Sequence, residues 1–350
     1  MSDFVQTFRK EFGDNAIFRL GDGKLSDIEV RSTGSLMLDL ALGGGWAKGR
    51  LHLLAGAEKA GKSSIAYLSI AQAQQEEPDK DNVVIDLEHS LNPRWCSLLG
   101  VDMEKLMVVQ PDAPAEKVYD MIEYMIKEGN FAYIILDSVD GLVMKAELEE
   151  EDWGKESRVG GTSKINSMAM RKIVNSGLLS KSGTSMIFIQ QLRDKIGGFN
   201  PYGPSTQTSG GRAIKHNSTA TVDVSMGEMF TKGNGKDRKH FGQQIRCKVS
   251  KNKIAPPFKT ATIDVYYEQG VDRIGELVAI AKEINVLEGT SWLKLMDPRT
   301  GEVFMDEEGN ELKWHGINKV KESLMDDVEF NEGKMYLKIN DLVNGVIRGT

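Results

Sequence analysis

The stretch Gly56-Ala-Glu-Lys-Ala-Gly-Lys62-Ser63 decides the fold of this chain, because it matches the pattern GxxxxGK(S/T). An apolar, strand-like segment ends at Ala55 just before it, and a helix-like segment begins near Ser63. Glycines let the backbone curl so that several N–H groups point at a phosphate, and the helix N-terminus adds partial positive charge. This strand-to-helix context favours a phosphate-binding loop, or P-loop, over a chance glycine-rich turn.

Strand-like and helix-like segments alternate on both sides of this loop. Strands are predicted at residues 51–55, 82–87, 131–137 and 185–190, and helices at 63–75, 115–128 and 166–179. Such alternation is typical of a mostly parallel sheet covered by helices on both faces. Later strands follow one another without long helices, and these are predicted at residues 220–224, 244–250 and 261–267. The expected fold class is therefore α/β, a P-loop core with an antiparallel extension of its sheet.

The chain divides into three predicted parts. Residues 1–32 form a short helix and a linker, residues 33–274 form the core, and residues 275–350 form a small C-terminal α/β domain. The N-terminal helix carries apolar residues on one face: Phe4, Val5, Phe8 and Phe12. A helix this short is marginally stable alone, so that face needs a partner, either its own subunit or a neighbouring one.

Composition narrows the possible functions. The net charge of −7 over 350 residues argues against a protein that coats nucleic acid through its overall field, so nucleic-acid binding would need a local basic surface. The two cysteines, Cys96 and Cys247, form no CxxC pair, which fits a reduced compartment and argues against a zinc site. No apolar run approaches the roughly 18 residues of a membrane span, and the N-terminus lacks a signal-peptide core. We therefore expect a cytoplasmic protein.

Two strands that end in acidic residues accompany the P-loop. Asp137 ends the strand at 131–137, and the sheet should bring it to the same carboxyl edge as the loop. There Ser63 and Asp137 would hold Mg²⁺ while Lys62 bridges the β- and γ-phosphates of ATP. Glu88 would orient or deprotonate the attacking water. The alternatives are a helix-capping role for Asp137 and a capping or salt-bridged role for Glu88.

Two stretches are predicted to be long loops. Residues 147–161 are acidic at first and then basic, and residues 193–212 are rich in Gly, Ser, Thr and Pro. Loops of this length inside a compact domain are usually functional or disordered.

The chain resembles the bacterial RecA recombinases over almost its whole length. Matching segments include Ser32-Thr-Gly-Ser-Leu36, Ile85-Asp-Leu-Glu-His-Ser-Leu91, Asp137-Ser-Val139 and Lys251-Asn-Lys-Ile-Ala255. Several other segments diverge in the manner of a phage-encoded, UvsX-type relative. The resemblance implies a RecA-type core and an ATP-dependent recombinase that forms a filament on single-stranded DNA. Homologous double-stranded DNA, single-strand-binding proteins and loading proteins are the further partners expected.

The resemblance also implies roles for individual residues at the nucleotide. Glu88 matches the glutamate that activates water, Gln191 the residue that senses the γ-phosphate, and Trp95 an aromatic that stacks on adenine. Without the resemblance, Trp95 would be interpreted as a core residue and Gln191 as a cap at the edge of the sheet. The expected nucleotide-binding set is Gly56, Ala57, Glu58, Lys59, Ala60, Gly61, Lys62, Ser63, Ser64, Asn92, Trp95 and Asp137. At Asn92 the family usually has Asp, so this position departs from its pattern.

A local basic run at residues 232–259 carries nine Lys or Arg residues against one acid, Asp237. A solvated charged face is the ordinary interpretation of such a run. The resemblance instead implies that Lys251 and Lys253 reach the ATP of a neighbouring subunit, where they would stabilise transition-state charge. The expected catalytic set is then Lys62, Glu88, Gln191, Lys251 and Lys253.

The loops 147–161 and 193–212 are implied to be the two DNA-binding loops. They show no base-reading pattern, which fits sequence-independent binding through phosphates and apolar wedges. Phe199 and Tyr202 would stack on bases, or else anchor their own loop. The expected DNA contacts are Arg158, Val159, Gly160, Lys164, Arg171, Arg193, Ile196, Gly197, Gly198, Phe199, Gly210, Gly211 and Arg212.

Three functions remain open from the sequence. The first is a strand-exchange recombinase with DNA-dependent ATP hydrolysis. The second is a nucleotide-gated DNA scaffold or regulator with little turnover. The third is a hexameric helicase with the same core, against which the paired loops and Lys251-Asn-Lys253 argue.

Overall fold

The computed structural model describes residues 3–13, 16–17, 28–149, 161–194, 206–208, 212–233 and 238–349. Its helices are α1 (Asp3–Phe12), α2 (Leu36–Leu42), α3 (Lys62–Glu76), α4 (Pro93–Leu98), α5 (Ala115–Glu128), α6 (Lys145–Leu148), α7 (Gly161–Met170), α8 (Leu178–Ser182), α9 (Ala213–Asn217), α10 (Arg273–Glu283), α11 (Gly316–Phe330) and α12 (Lys334–Arg348). Its strands are β1 (Val30–Arg31), β2 (Trp46–Ala47), β3 (Leu51–Gly56), β4 (Asp81–Asp86), β5 (Leu106–Val109), β6 (Phe131–Asp137), β7 (Ser185–Asp194), β8 (Thr206–Thr208), β9 (Ala220–Lys232), β10 (Lys239–Asn252), β11 (Thr260–Tyr266), β12 (Gly270–Val271), β13 (Leu287–Glu288), β14 (Trp292–Leu295) and β15 (Lys313–His315).

One large sheet organises the core, in the order β12-β11-β10-β9-β3-β7-β6-β4-β5, with β8 paired to β7. The pairs from β9 to β5 are parallel. The pairs β9–β10, β10–β11 and β11–β12 are antiparallel. The predicted α/β class, with a parallel sheet and an antiparallel extension, is therefore confirmed.

The parallel strands are buried on both faces, as their continuous apolar sequences predict. On one face Leu54 and Ile135 pack with α2 and α3, and on the other Leu53 and Phe188 pack with α5 and α7. Each such side chain, when fully buried, contributes about 1.5–3 kcal/mol to folding. This double layer fixes the carboxyl edge of the sheet, where the P-loop and the strand-end acids lie.

Helix boundaries after the first predicted loop differ from expectation. The helix predicted at 166–179 is divided into α7, a π-helical segment at Arg171–Asn175, and α8. Gly177 separates the pieces, because its φ of 78° is left-handed and cannot continue a right-handed helix. The loop predicted at 147–161 is also shorter, since α6 extends to Leu148 and α7 begins at Gly161.

The C-terminal part has its own core around Leu277, Leu293 and Val320, formed by α10 to α12 and the small sheet β13-β14-β15. Glu276 joins this part to the large core, because its carboxylate accepts hydrogen bonds from the Ser35 hydroxyl and the Met37 amide. The predicted boundary at 274/275 lies inside the first turn of α10.

The N-terminal helix α1 has no buried residue. Its phenylalanines form a ladder on one face, with ring centroids 5.7 Å apart for Phe4 and Phe8 and 4.6 Å apart for Phe8 and Phe12. Phe4 and Phe12 remain 64% and 60% exposed, so the described part of the subunit does not cover this face. Among the described residues, no helix combines the length and the apolar character needed to cross a membrane.

Candidate nucleotide-binding site

The P-loop runs from the end of β3 to the start of α3, and two of its glycines are required by close packing. A Cβ atom on Gly56 would lie 2.1 Å from the Val224 carbonyl oxygen of β9. At Gly61, where φ is 98°, it would lie 2.5 Å from Cδ1 of Ile245. The motif glycines therefore allow both the curl of the loop and its close packing against β9 and β10.

Lys62 closes over the P-loop from the first residue of α3. Its ammonium donates to the carbonyl oxygens of Gly56 at 3.0 Å and Ala57 at 2.6 Å. Burial lowers the pKa of Lys62, and the carboxylates of Asp137 and Glu88 oppose that effect. The cation thus lies over the loop backbone, where an anionic phosphate would be its strongest partner.

Ser63 and Asp137 lie side by side at the mouth of the loop. The Ser63 hydroxyl donates to Oδ2 of Asp137 at 2.7 Å. Burial raises the pKa of Asp137 to about 6, the Ser63 bond opposes this, and neighbouring acids add to it. A hydroxyl and a carboxylate oxygen at this spacing form a donor set that suits Mg²⁺, which prefers oxygen ligands. The residues present therefore fit the predicted metal.

Three hydrogen bonds and one short turn of the chain link four residues in a ring, which we call the Glu88 ring: Ser138, Glu88, Gln191 and Asp140. Oε1 of Glu88 accepts from the Ser138 hydroxyl and, at 2.9 Å, from the side-chain amide of Gln191. The backbone N–H of Gln191 donates to Oδ2 of Asp140 at 2.6 Å. The short 3₁₀ turn at Val139–Gly141 closes the ring back to Ser138. Sequence reasoning found Glu88 and Gln191 but missed Ser138 and Asp140, because only contact across the sheet reveals them.

Trp95 lies next to the start of α3. Its indole N–H donates to the Ser64 hydroxyl at 3.0 Å, and its ring is partly buried. Asn92 caps α4, since its side-chain oxygen accepts from the Trp95 amide at 3.1 Å. Asn92 therefore orients the aromatic residue, and a direct contact with nucleotide stays a prediction for both side chains.

The two lysines expected to act on a neighbour, Lys251 and Lys253, which we call the trans lysines, lie at the end of β10. The Lys251 ammonium donates to the carbonyl oxygens of Lys215 at 2.6 Å and His216 at 2.8 Å, in the last turn of α9. Burial and the charges of Lys253 and Lys215 lower the pKa of Lys251 to about 8. The hydrogen bonds of Lys251 go to α9 and not to Lys62 or Asp137.

Most predicted DNA contacts fall outside the described residues: Arg158, Val159, Gly160, Ile196, Gly197, Gly198, Phe199, Tyr202, Gly210 and Gly211. Lys164 on α7, Arg171 just after it and Arg212 before α9 are exposed. Arg193 belongs to β7, where its backbone pairs with Gln207 of β8. The helices that follow the two loops, α7 and α9, contact each other. The helices that follow the two predicted DNA loops therefore lie against each other.

Comparison with known proteins gives one consistent result. Residues 1–272 match the family described as the RecA N-terminal domain. Protein RecA of Ruminococcus albus is 38% identical over 300 residues, which are 85% of this chain and 72% of that protein. Protein RecA of a Nostoc species is 40% identical over 283 residues, 81% of this chain and 76% of its own length. Protein RecA of Streptococcus agalactiae is 38% identical over 290 residues, with shares of 82% and 74%.

Proposed function

The chain belongs to the RecA family of DNA recombinases, and we propose that it hydrolyses ATP at a site completed by a second copy of itself. It is a DNA-dependent ATPase that acts in DNA recombination and repair, as the family membership establishes. The observation that carries the residue-level proposal is the gathering of Lys62, Ser63, Asp137 and the Glu88 ring at one edge of the sheet.

Each of these residues has a definite task in the proposed reaction. Lys62 exchanges its loop carbonyl partners for the phosphates of ATP, the substrate. Ser63 and Asp137 would hold Mg²⁺, which would supply neutralisation of phosphate charge at this place. Glu88 orients the attacking water and accepts its proton, while Ser138 and Gln191 keep the carboxylate in place.

DNA would be sensed through β7. Gln191 lies near the end of that strand, which stops at Asp194, and the second predicted DNA loop begins two residues after Gln191, at residue 193. Its side chain contacts Glu88, so a shift of the loop that moves β7 also moves the group that holds the water-activating carboxylate. We propose that this bond couples single-stranded DNA binding to ATP hydrolysis. The contact between α7 and α9 would place both loops on the same strand of DNA.

The trans lysines would complete the site of the neighbouring subunit. Lys215, Lys251 and Lys253 lie close enough for the first and last to lower the pKa of Lys251, so this corner of the subunit concentrates positive charge. An incoming γ-phosphate would relieve that repulsion and replace the two carbonyl partners of Lys251. Helix α1, whose phenylalanine face is exposed, is proposed to dock on the next subunit of the same filament.

The same proposal covers the roles of the three parts of the chain and the residues that contact DNA. We propose that residues 1–32 serve oligomerisation, residues 33–274 catalysis and DNA binding, and residues 275–350 form a separate domain. The described residues include four of the proposed DNA contacts: Lys164, Arg171, Arg193 and Arg212. The phage-type relationship stays a prediction.

The test is ATP hydrolysis and strand exchange with and without single-stranded DNA, for the natural chain and for Glu88→Gln. We expect DNA to stimulate the natural chain, and Glu88→Gln to bind ATP and DNA but turn over slowly. Strand exchange that persists in Glu88→Gln would assign the work to ATP binding and favour the scaffold alternative. Hydrolysis that ignores single-stranded DNA, with closed rings in electron micrographs, would favour the helicase alternative and contradict the proposal.

A further inference from the structure

Strand β7 continues past the point where its neighbour β6 ends. The last paired residues of these strands are Leu136 and Phe188, whereas β7 goes on pairing with β3 up to Gly56 and Gln191. After Asp137 the chain leaves the sheet and enters the 3₁₀ turn at Val139–Gly141. A backbone N–H on the side that β6 has left needs a substitute acceptor, because an unpaired buried donor is costly.

Asp140 supplies that acceptor. The backbone N–H of Gln191 donates to Oδ2 of Asp140 at 2.6 Å. This is a short, charge-assisted hydrogen bond. The bond fixes the main chain of Gln191 at the position from which its side chain reaches Glu88. Asp140 also lies in the turn that presents Ser138 to the same carboxylate.

We infer that Asp140 is a positioning residue for ATP hydrolysis, which acts on Glu88 through Gln191. The inference rests on the proposed function, in which Glu88 activates water. Because the Glu88 ring is closed, removal of one member loosens the rest, and a catalytic group that is misplaced by about 1 Å can lose on the order of a hundredfold in rate. The role needs an acceptor at this place and does not need its negative charge.

The charge of Asp140 has a separate consequence. Together with Asp137, Glu88 and Glu58, it opposes the effect of burial on the pKa of Lys62, so it lies near enough to affect the phosphate site. A carboxylate there repels an incoming anion. Removal of the charge alone should therefore favour ATP binding, while removal of the acceptor should impair the chemical step.

These two effects separate kcat from KM. Asp140→Ala is expected to lower the DNA-stimulated kcat by about tenfold. Asp140→Asn keeps an oxygen for the Gln191 amide, so it should restore kcat to within about twofold and lower KM for ATP. Asp120→Ala, which removes an exposed carboxylate from α5, is the matched control and should change neither constant.

A double-mutant cycle tests the route through Gln191. In a Gln191→Ala background, Asp140→Ala should cause little further loss, because the side chain that it positions is gone. An unchanged kcat in Asp140→Ala, losses that multiply in the double variant, or an Asp140→Asn as impaired as Asp140→Ala would each overturn the inference.

Hydrogen exchange of the Gln191 amide, followed by mass spectrometry without nucleotide, checks the bond independently of turnover. Faster exchange is expected in Asp140→Ala, and unchanged exchange overturns the inference. A natural chain that lacks DNA-stimulated hydrolysis would instead overturn the proposed function, and the exchange result would still decide whether Asp140 holds Gln191.

Discussion

Two regions of the molecule differ in how many partners their functional side chains find within one subunit. The first is the carboxyl edge of the sheet, where the P-loop lies, and the second is the end of β10. At the first, Lys62, Ser63, Asp137 and Glu88 all contact other members of the same site. At the second, Lys251 is bound to carbonyl oxygens of α9, and Lys253 is exposed. In the first region the side chains are already joined by hydrogen bonds to one another or to the P-loop, whereas in the second no acidic side chain of the described residues forms an ion pair with the lysines. By the proposed function, this difference arises because the lysines of the second region act on the ATP of a neighbouring subunit.

The largest effect is expected from a change inside the pre-arranged region. Lys62→Ala removes the cation that closes over the P-loop, so ATP binding and turnover should fall by about a hundredfold or more. Hydrolysis and nucleotide binding are measured beside Lys105→Ala, an exposed lysine remote in sequence from the loop. Retained turnover in Lys62→Ala would show that the region described here is not the ATPase site.

The next effect comes from the trans lysines. Lys251→Ala combined with Lys253→Ala should reduce DNA-stimulated hydrolysis by about a hundredfold, a smaller loss than that of an arginine finger supplied in trans. ATP binding by the isolated subunit should remain, because neither side chain contacts its nucleotide edge among the described residues. Lys259→Ala, an exposed lysine just before β11, is the control. If the double variant hydrolyses ATP as fast as the natural chain, with the same dependence on protein concentration, the proposed role of these lysines in trans is wrong.

A smaller effect is expected from pH. The pKa of Lys251 is lowered to about 8, so its positive charge is present below that pH and is lost as the pH rises through it. Cooperative assembly with ATP should therefore weaken by a few-fold between about pH 7 and 9. Lys251→Arg keeps its charge over this range and should flatten the profile. A profile that is equally steep in both proteins would assign the pH dependence to another group.

Local patterns predicted the strands and the strand-to-helix loop of the first region, while the roles of its residues stay predictions. The P-loop, the buried strands and Asp137 each depend on residues that are adjacent in sequence, so a glycine pattern and an apolar run were sufficient. The Glu88 ring was only half predicted, since Asp140 and Gln191 are joined across the end of a strand and no local signal marks Asp140. The division of α7 from α8 was also missed, because the apolar period continues through a left-handed glycine.

The second region was predicted only through resemblance to a family. Lys251 and Lys253 belong to a basic run that an ordinary solvated face would also produce. Their partner, by the proposed account, lies on another chain, and no pattern within one chain records a contact between chains. The bond from Lys251 to α9 was unexpected, because it joins a strand end to backbone carbonyls that carry no side-chain signature.

Mixing two inactive variants tests the shared site most directly. Glu88→Gln chains keep their trans lysines, and chains that carry Lys251→Ala with Lys253→Ala keep an intact P-loop and Glu88. A head-to-tail filament of both should contain about one interface in four with both halves intact. We predict that the mixture regains DNA-stimulated ATP hydrolysis that neither variant shows alone. A mixture no more active than the sum of its two components would contradict the account.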